Sequence, residues 1–341
     1  MIPPLSPDVA AAVQHLLEVL GPTRDRRLAE ELLTSAAGMI EDQPATLDLK
    51  IAASAVLEMR DAYSMFAPYR GRKKVAIFGS ARTREDDPLY VQARQVAEQL
   101  GAHGWMVITG AGPGIMQAAM EGAGRDMSIG VSIRLPFEQS ANPIIAGDAK
   151  YVSMKYFFTR KLMLIKESSA FVCLPGGFGT LDEMFELLTL TQTGKGVPVP
   201  IVFLDTPGDV YWESVADLIN EQLVARGLVA AHDTDLYLIT DSGETAVHEI
   251  DRFYANYDSL RYVGDLLVLR MKQAPTDEQL AQLNAAFGHL CTKGSISRTL
   301  PLPIEVKEAD NIHLQRVSFV FAKHGFGDLR QMIDMLNTFV A

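Results

Sequence analysis

Apolar residues recur along the chain in three successive rhythms. In the first, Val9, Val13, Leu16, Leu17 and Leu20 fall on one face at helical spacing before Gly21-Pro22 ends the run. Leu28, Leu32, Leu33 and Met39 predict a second helix, and Ile51, Val56, Leu57 and Met59 a third. Residues 1–72 are therefore expected to form a helical N-terminal extension, a cap or an oligomer surface without a catalytic constellation.

The rhythm changes at Lys73. Short continuous apolar runs follow: VAIFGSA (75–81), WMVITGA (105–111), SIGVSI (128–133), AFVCLPGG (170–177), PIVFLD (200–205) and LYLIT (236–240). Amphipathic stretches such as LYVQARQVAEQLGAHG and YWESVADLINEQLVARG lie between them. Such alternation predicts an α/β fold over residues 73–258: a Rossmann-like parallel sheet with helices on both faces and right-handed crossovers. A third rhythm begins at 259. DLLVLRMK reads as a strand, TDEQLAQLNAAFGHL as a helix, LPIEVKE and LQRVSFVFAKH as strands, and DLRQMIDMLNTF as a helix. This β-α-β-β-α order predicts a small α+β accessory unit over 259–341, built on an antiparallel sheet.

In open parallel sheets, ligands bind at the carboxyl ends of the strands. Three expected strand ends carry small residues: Gly79-Ser80-Ala81, Gly110-Ala111-Gly112-Pro113-Gly114 and Pro175-Gly176-Gly177-Phe178-Gly179-Thr180. The last two run straight into helices, where backbone N–H groups and the positive helix end suit a phosphate. The glycines of 110–114 miss the dinucleotide fingerprint by one residue, and no Walker lysine is present. The stretch KYFFTRKLMLIK (155–166) carries Lys155, Arg160, Lys161 and Lys166 and no acid. It reads either as a solvated basic face or as a half-buried helix that offers Arg160 to the pocket. Glu183 follows Thr180 by three residues, a spacing that fits a helix-capping box and catalysis equally.

Composition narrows the partners. The chain has 31 bases and 42 acids, a net charge of −11, and 48% hydrophobic residues. This disfavours a general nucleic-acid binder but leaves room for a small anion in a local basic pocket. Cys173 and Cys291 are too few and too far apart for a disulfide framework or a zinc cluster. The N-terminus lacks a basic signal region, and no apolar run approaches the roughly 20 residues of a membrane span. A cytoplasmic protein with neither membrane nor nucleic-acid partner is expected.

The residues named so far resemble a known family. PGGFGTLDE (175–183) resembles the P-G-G-x-G-T-x-x-E signature of the Lonely Guy family, once labelled lysine decarboxylases. FFTRKLM (157–163) is similar to its M-x-x-R-K-x-x-M signature. Phe157 replaces the first methionine, Arg160 and Lys161 match, and Met163 stands for the second methionine. FGSA (78–81) and TGAGPGIM (109–116) resemble its earlier nucleotide loops.

The resemblance implies hydrolysis of the N-glycosidic bond of a purine or cytokinin nucleoside 5′-monophosphate, giving free base and ribose 5-phosphate. It implies no metal, no organic cofactor, and a homodimer or higher homo-oligomer. It assigns Arg160 and Glu183 as the catalytic pair, and Gly176, Gly177, Gly179 and Thr180 as the phosphate cradle. Gly79, Ser80, Gly110, Gly112, Gly114, Met116 and Lys161 complete the expected substrate contacts. The alternative is a nucleotide-binding or molybdenum-cofactor carrier without turnover, which needs the glycine loops but not the Arg160–Glu183 pair. A pyridoxal-phosphate decarboxylase is disfavoured, since Lys161 has no persuasive partner for the pyridine nitrogen.

Overall fold

A computed structural model describes residues 5–135 and 141–340. The chain divides into two compact units, Met1–Asp61 and Ala62–Ala341. The first holds helices α1 (Pro7–Leu20), α2 (Arg26–Glu41) and the greater part of α3 (Thr46–Phe66). Pro at the first turn and Gly21 at φ 76° bracket α1. The Asp25 side chain accepts from the Leu28 N–H to start α2. These are the three helices expected from the spacing. Apolar side chains such as Leu32, Ile40 and Leu57 remain more than half exposed.

The second unit is built on a seven-stranded parallel sheet in the order β4-β3-β2-β1-β5-β6-β7. Its strands are β1 (Lys74–Phe78), β2 (Met106–Thr109), β3 (Ser128–Ile133), β4 (Tyr151–Met154), β5 (Ala170–Cys173), β6 (Ile201–Leu204) and β7 (Leu238–Thr240). The crossovers run through α4 (Pro88–Ala102), α5 (Ile115–Ala123), α6 (Phe157–Lys166), α7 (Phe178–Gln192) and α8 (Tyr211–Leu218), and α9 (Gly243–Phe253) follows β7. Strands β1, β2, β5 and β6 are buried at every position, which explains their unbroken apolar runs. Strand order reverses between β1 and β5. That switch point opens a crevice at the carboxyl ends of the central strands.

A second, antiparallel sheet in the order β10-β11-β9-β8 follows. It consists of β8 (Tyr257–Val263), β9 (Leu266–Met271), β10 (Cys291–Arg298) and β11 (Gln315–Phe321), with α10 (Asp277–Phe287), α11 (Pro303–Glu308) and α12 (Phe326–Asn337). Val75 and Ile77 of β1 share one apolar core with Leu267, Val317, Leu329 and Leu336 of this part. The Asn337 amide oxygen accepts from the N–H groups of Asn256 and Tyr257, tying α12 to the entry of β8.

The expected strand LPIEVKE is a helix. Pro303 starts α11, and Glu305 accepts from the Leu302 N–H at 2.9 Å. Glu305 is fully buried between Arg270, at 2.7 Å, and Arg316, at 3.2 Å. The charge pairing of one buried carboxylate overrides the alternating pattern. The expected helix YWESVADLINEQLVARG is α only to Leu218, and Ile219–Val224 continues as a π-helical turn.

Candidate active site

A cavity of about 810 Å3 occupies the crevice at the switch point, within the size range of small-ligand sites. Gly79, Ser80, Gly110, Gly112, Met116, Arg160, Gly176, Gly177, Gly179, Thr180 and Glu183 all line it. Two of the expected contacts do not. Gly114 caps α5 with φ 66°, and a Cβ there would strike the Ser80 carbonyl and the Ala81 backbone. Its part is therefore to let two loops approach closely. Lys161 points away from this cavity, with its ammonium 2.6 Å from Asp182 and 3.0 Å from Glu186. Burial pulls the Lys161 pKa down, but the hydrogen bonds it donates to both carboxylates outweigh it and hold the value above the ordinary one.

The N-terminus of α7 forms the floor of one end. The residue before the helix is Gly177, and the Leu181 N–H donates to its carbonyl at 3.2 Å. The N–H groups of Phe178, Gly179 and Thr180 thus fall in the first turn, where a helix has donors to spare and the positive end of its dipole. This geometry excludes the capping box between Thr180 and Glu183. Thr180 is the third residue inside the helix and packs against Gly176, and no side chain caps the terminus.

Glu183 faces Arg160. The Arg160 Nη1 donates to Glu183 Oε1 at 3.2 Å, and its Nε donates to the Val131 carbonyl at 3.1 Å. Both side chains are almost wholly buried, so α6 is not a solvated basic face at this position. Gly110 makes room for the guanidinium, since a Cβ on residue 110 would collide with Arg160 Nη2. Burial raises the Glu183 pKa above the ordinary carboxylate value. Arg160 and Lys161 oppose that rise, and Asp182 and Glu186 add to it. The Cys173 thiol is pushed far up by burial, with the Glu183 charge adding to the effect, and it is no nucleophile.

Several lining residues were not legible beforehand. The Tyr211 hydroxyl, at the start of α8, donates to the Gly176 carbonyl at 2.7 Å. Asp205, at the end of β6, accepts from the Trp212 N–H at 3.0 Å and so steadies that helix start. A reading of strand carboxyl ends extended past PIVFLD would have reached Tyr211. Ser132, Tyr151 and Ser153 line the opposite wall from β3 and β4. Among the described residues, no group of three or more His, Cys, Asp or Glu side chains could hold a metal ion. No helix among them is long and apolar enough to cross a membrane.

A sequence-family profile described as "Possible lysine decarboxylase" matches residues 114–250, the span that holds the Arg160–Glu183 pair and the α7 glycine loop. A probable cytokinin riboside 5′-monophosphate phosphoribohydrolase of Oryza sativa subsp. japonica is 28% identical over 217 residues, 62% of this chain and 87% of that protein. The Rossmann-like unit is similar to the Lonely Guy family over these residues. A second Lonely Guy relative, a probable phosphoribohydrolase of the same description from Arabidopsis thaliana, is 32% identical over 116 residues, 34% of this chain and 54% of that protein. A solved structure of the molybdenum cofactor carrier protein of Chlamydomonas reinhardtii aligns with 53% of this chain and 97% of its own, at 22% identity and a TM-score of 0.38. Counted by the spacing of the Lonely Guy signature, its second methionine falls on Leu164 rather than Met163. Both residues are buried.

Proposed function

We propose that this chain hydrolyses the N-glycosidic bond of a purine or cytokinin nucleoside 5′-monophosphate, releasing free base and ribose 5-phosphate. The observation that carries the reading is the Arg160–Glu183 pair, buried beside the open N-terminus of α7. A phosphate on the Phe178, Gly179 and Thr180 N–H groups anchors the substrate. Breaking the C1′–N bond builds positive charge on the ribose, as in glycoside hydrolysis. The Glu183 carboxylate stabilises that charge and takes a proton from the attacking water, while the departing base nitrogen is protonated from solvent. Water oxygen ends on C1′ and the electron pair of the broken bond stays with the base. Arg160 keeps the buried carboxylate ionised and aims it.

Among the described residues, no lining residue of the cavity comes from beyond Tyr211, which supports a regulatory or assembling role for 259–341 and no catalytic one. Phe157, Phe158 and Leu162 of α6 are about half exposed. They support a homodimer or higher homo-oligomer, and the net charge of −11 supports a protein that works without nucleic acid; a cytoplasmic location is part of the same proposal. The test is chromatography of AMP, GMP, IMP, CMP, UMP and isopentenyladenosine monophosphate after incubation with pure protein. Free base supports the reading. Nucleotide recovered intact from a tight complex supports the carrier alternative instead.

A further inference from the structure

The cavity has two chemically different ends. One carries the N–H groups of α7 and suits an anion. The other, on β3 and β4, carries the hydroxyls of Ser132, Tyr151 and Ser153, with Arg134 also in the lining and its guanidinium donating to the Ser153 carbonyl. Ser132 Oγ and Tyr151 Oη lie 2.7 Å apart on the cavity wall. Ser153 sits beside Ser132 in the strand register. The Tyr151 ring is wedged against the buried cluster of Ala111, Met120 and Ile145, so its hydroxyl is held in place. No other partner of either hydroxyl is present among the described residues.

Two hydroxyls bonded to each other spend one donor and one acceptor, leaving one O–H donor and several lone pairs open. That is the complement of a heterocycle edge, where a ring nitrogen and an exocyclic amine or oxygen stand side by side. It is a poor complement to a second phosphate, which wants donors only. Separation agrees. Strand β3 lies three places from β5 in the sheet, and at about 4.8 Å per strand the two ends are about 14 Å apart. An extended nucleoside monophosphate, with a hydrogen bond at each end, bridges such a gap. It puts C1′ between the ends, where Arg160 bonds Glu183 on α7 and the Val131 carbonyl on β3.

We infer that the Ser132–Tyr151 hydroxyl pair reads the hydrogen-bonding edge of the base and favours a purine over a pyrimidine. The bicyclic ring carries its polar edge farther from C1′ than a single ring does, so only a purine reaches the pair. The inference rests on the nucleotide reading above, and its test is arranged to fail separately.

Equilibrium affinities for AMP and CMP are measured by calorimetry in the Glu183→Gln background, where turnover is suppressed, with and without Ser132→Ala or Tyr151→Phe. Either added substitution should weaken AMP about tenfold, the scale of one lost hydrogen bond, and leave CMP unchanged. The AMP-to-CMP preference then collapses, while unchanged CMP binding certifies the fold. Equal weakening of both nucleotides, or no weakening of AMP, overturns the inference. If wild-type protein releases no base, the hydrolase reading falls, yet the affinity ratio still decides whether the pair reads the base.

Discussion

Replacing Arg160 with methionine should move the acid limb of kcat/KM to higher pH. In the free protein the guanidinium lies 3.2 Å from the Glu183 carboxylate, and burial already lifts that carboxyl above its ordinary value. Two unit charges about 4 Å apart interact by about 4 kcal/mol at an effective dielectric near 20. About 1.36 kcal/mol moves a pKa by one pH unit, so losing the whole interaction would move the limb by about 3. Water and nearby dipoles that relax around the neutral side chain recover part of that interaction, so we expect the limb to rise by about 1–2 pH units. The sign follows from which form works. The ionised carboxylate is required, so activity is lost as pH falls through the raised value. At a fixed pH below both limbs, the variant is slower by about tenfold for each pH unit that separates them, and much of the deficit is recovered on the alkaline side. Arg160→Lys, which keeps the charge without the fork, should move the limb less. The assay is a pH series of base release under kcat/KM conditions, which reports groups of the free enzyme. An acid limb that stays in place in a folded Arg160→Met protein would refute the electrostatic role of this pair.

Glu183→Gln should keep its circular dichroism spectrum and lose about 10²–10⁴-fold in kcat, and near-normal turnover would remove Glu183 from the chemistry. Tyr211→Phe frees the Gly176 carbonyl, so KM for AMP should rise by about fivefold with kcat little changed, one neutral hydrogen bond's worth; a fall in kcat at constant KM would contradict the loop-steadying role. Glu305→Gln leaves the buried Arg316 without a carboxylate, while Arg270 keeps Asp310, and should cost about 3–5 kcal/mol in denaturant unfolding, against less than about 1 for an inert surface site.

Legibility followed burial. Strands buried on both faces announced themselves as unbroken apolar runs, and β3 matches SIGVSI residue for residue. Three of the four edge strands did not; β7, within LYLIT, is the exception. Strand β4, YVSM, alternates half-buried and buried positions, β8 is half-buried almost throughout, and β10, CTKGSISR, is exposed and polar apart from Ile296 and half-buried Cys291. All three are strands because a neighbour offers hydrogen bonds, which a single-segment pattern cannot register. Missing β4 also hid Tyr151 and Ser153 from the site. Gly79, Gly110, Gly112 and Gly176 were legible because a Cβ there would strike Ile115, Arg160, Met116 and Thr180 respectively. Lys161 looked equivalent to Arg160 in sequence, yet neighbouring positions on a helix point about 100° apart, and only one of them can face the cavity.

In the proposed reaction, the buried Arg160–Glu183 pair and the α7 N-terminus together break the C1′–N bond of a 5′-phosphorylated nucleoside. Its most direct measurement is a paired incubation of pure protein with AMP and with adenosine, both products being quantified over time. AMP should yield adenine and ribose 5-phosphate in equal amounts, with adenosine left essentially intact because nothing occupies the α7 donors. Adenosine cleaved as efficiently as AMP, or AMP converted to adenosine and phosphate, would contradict it.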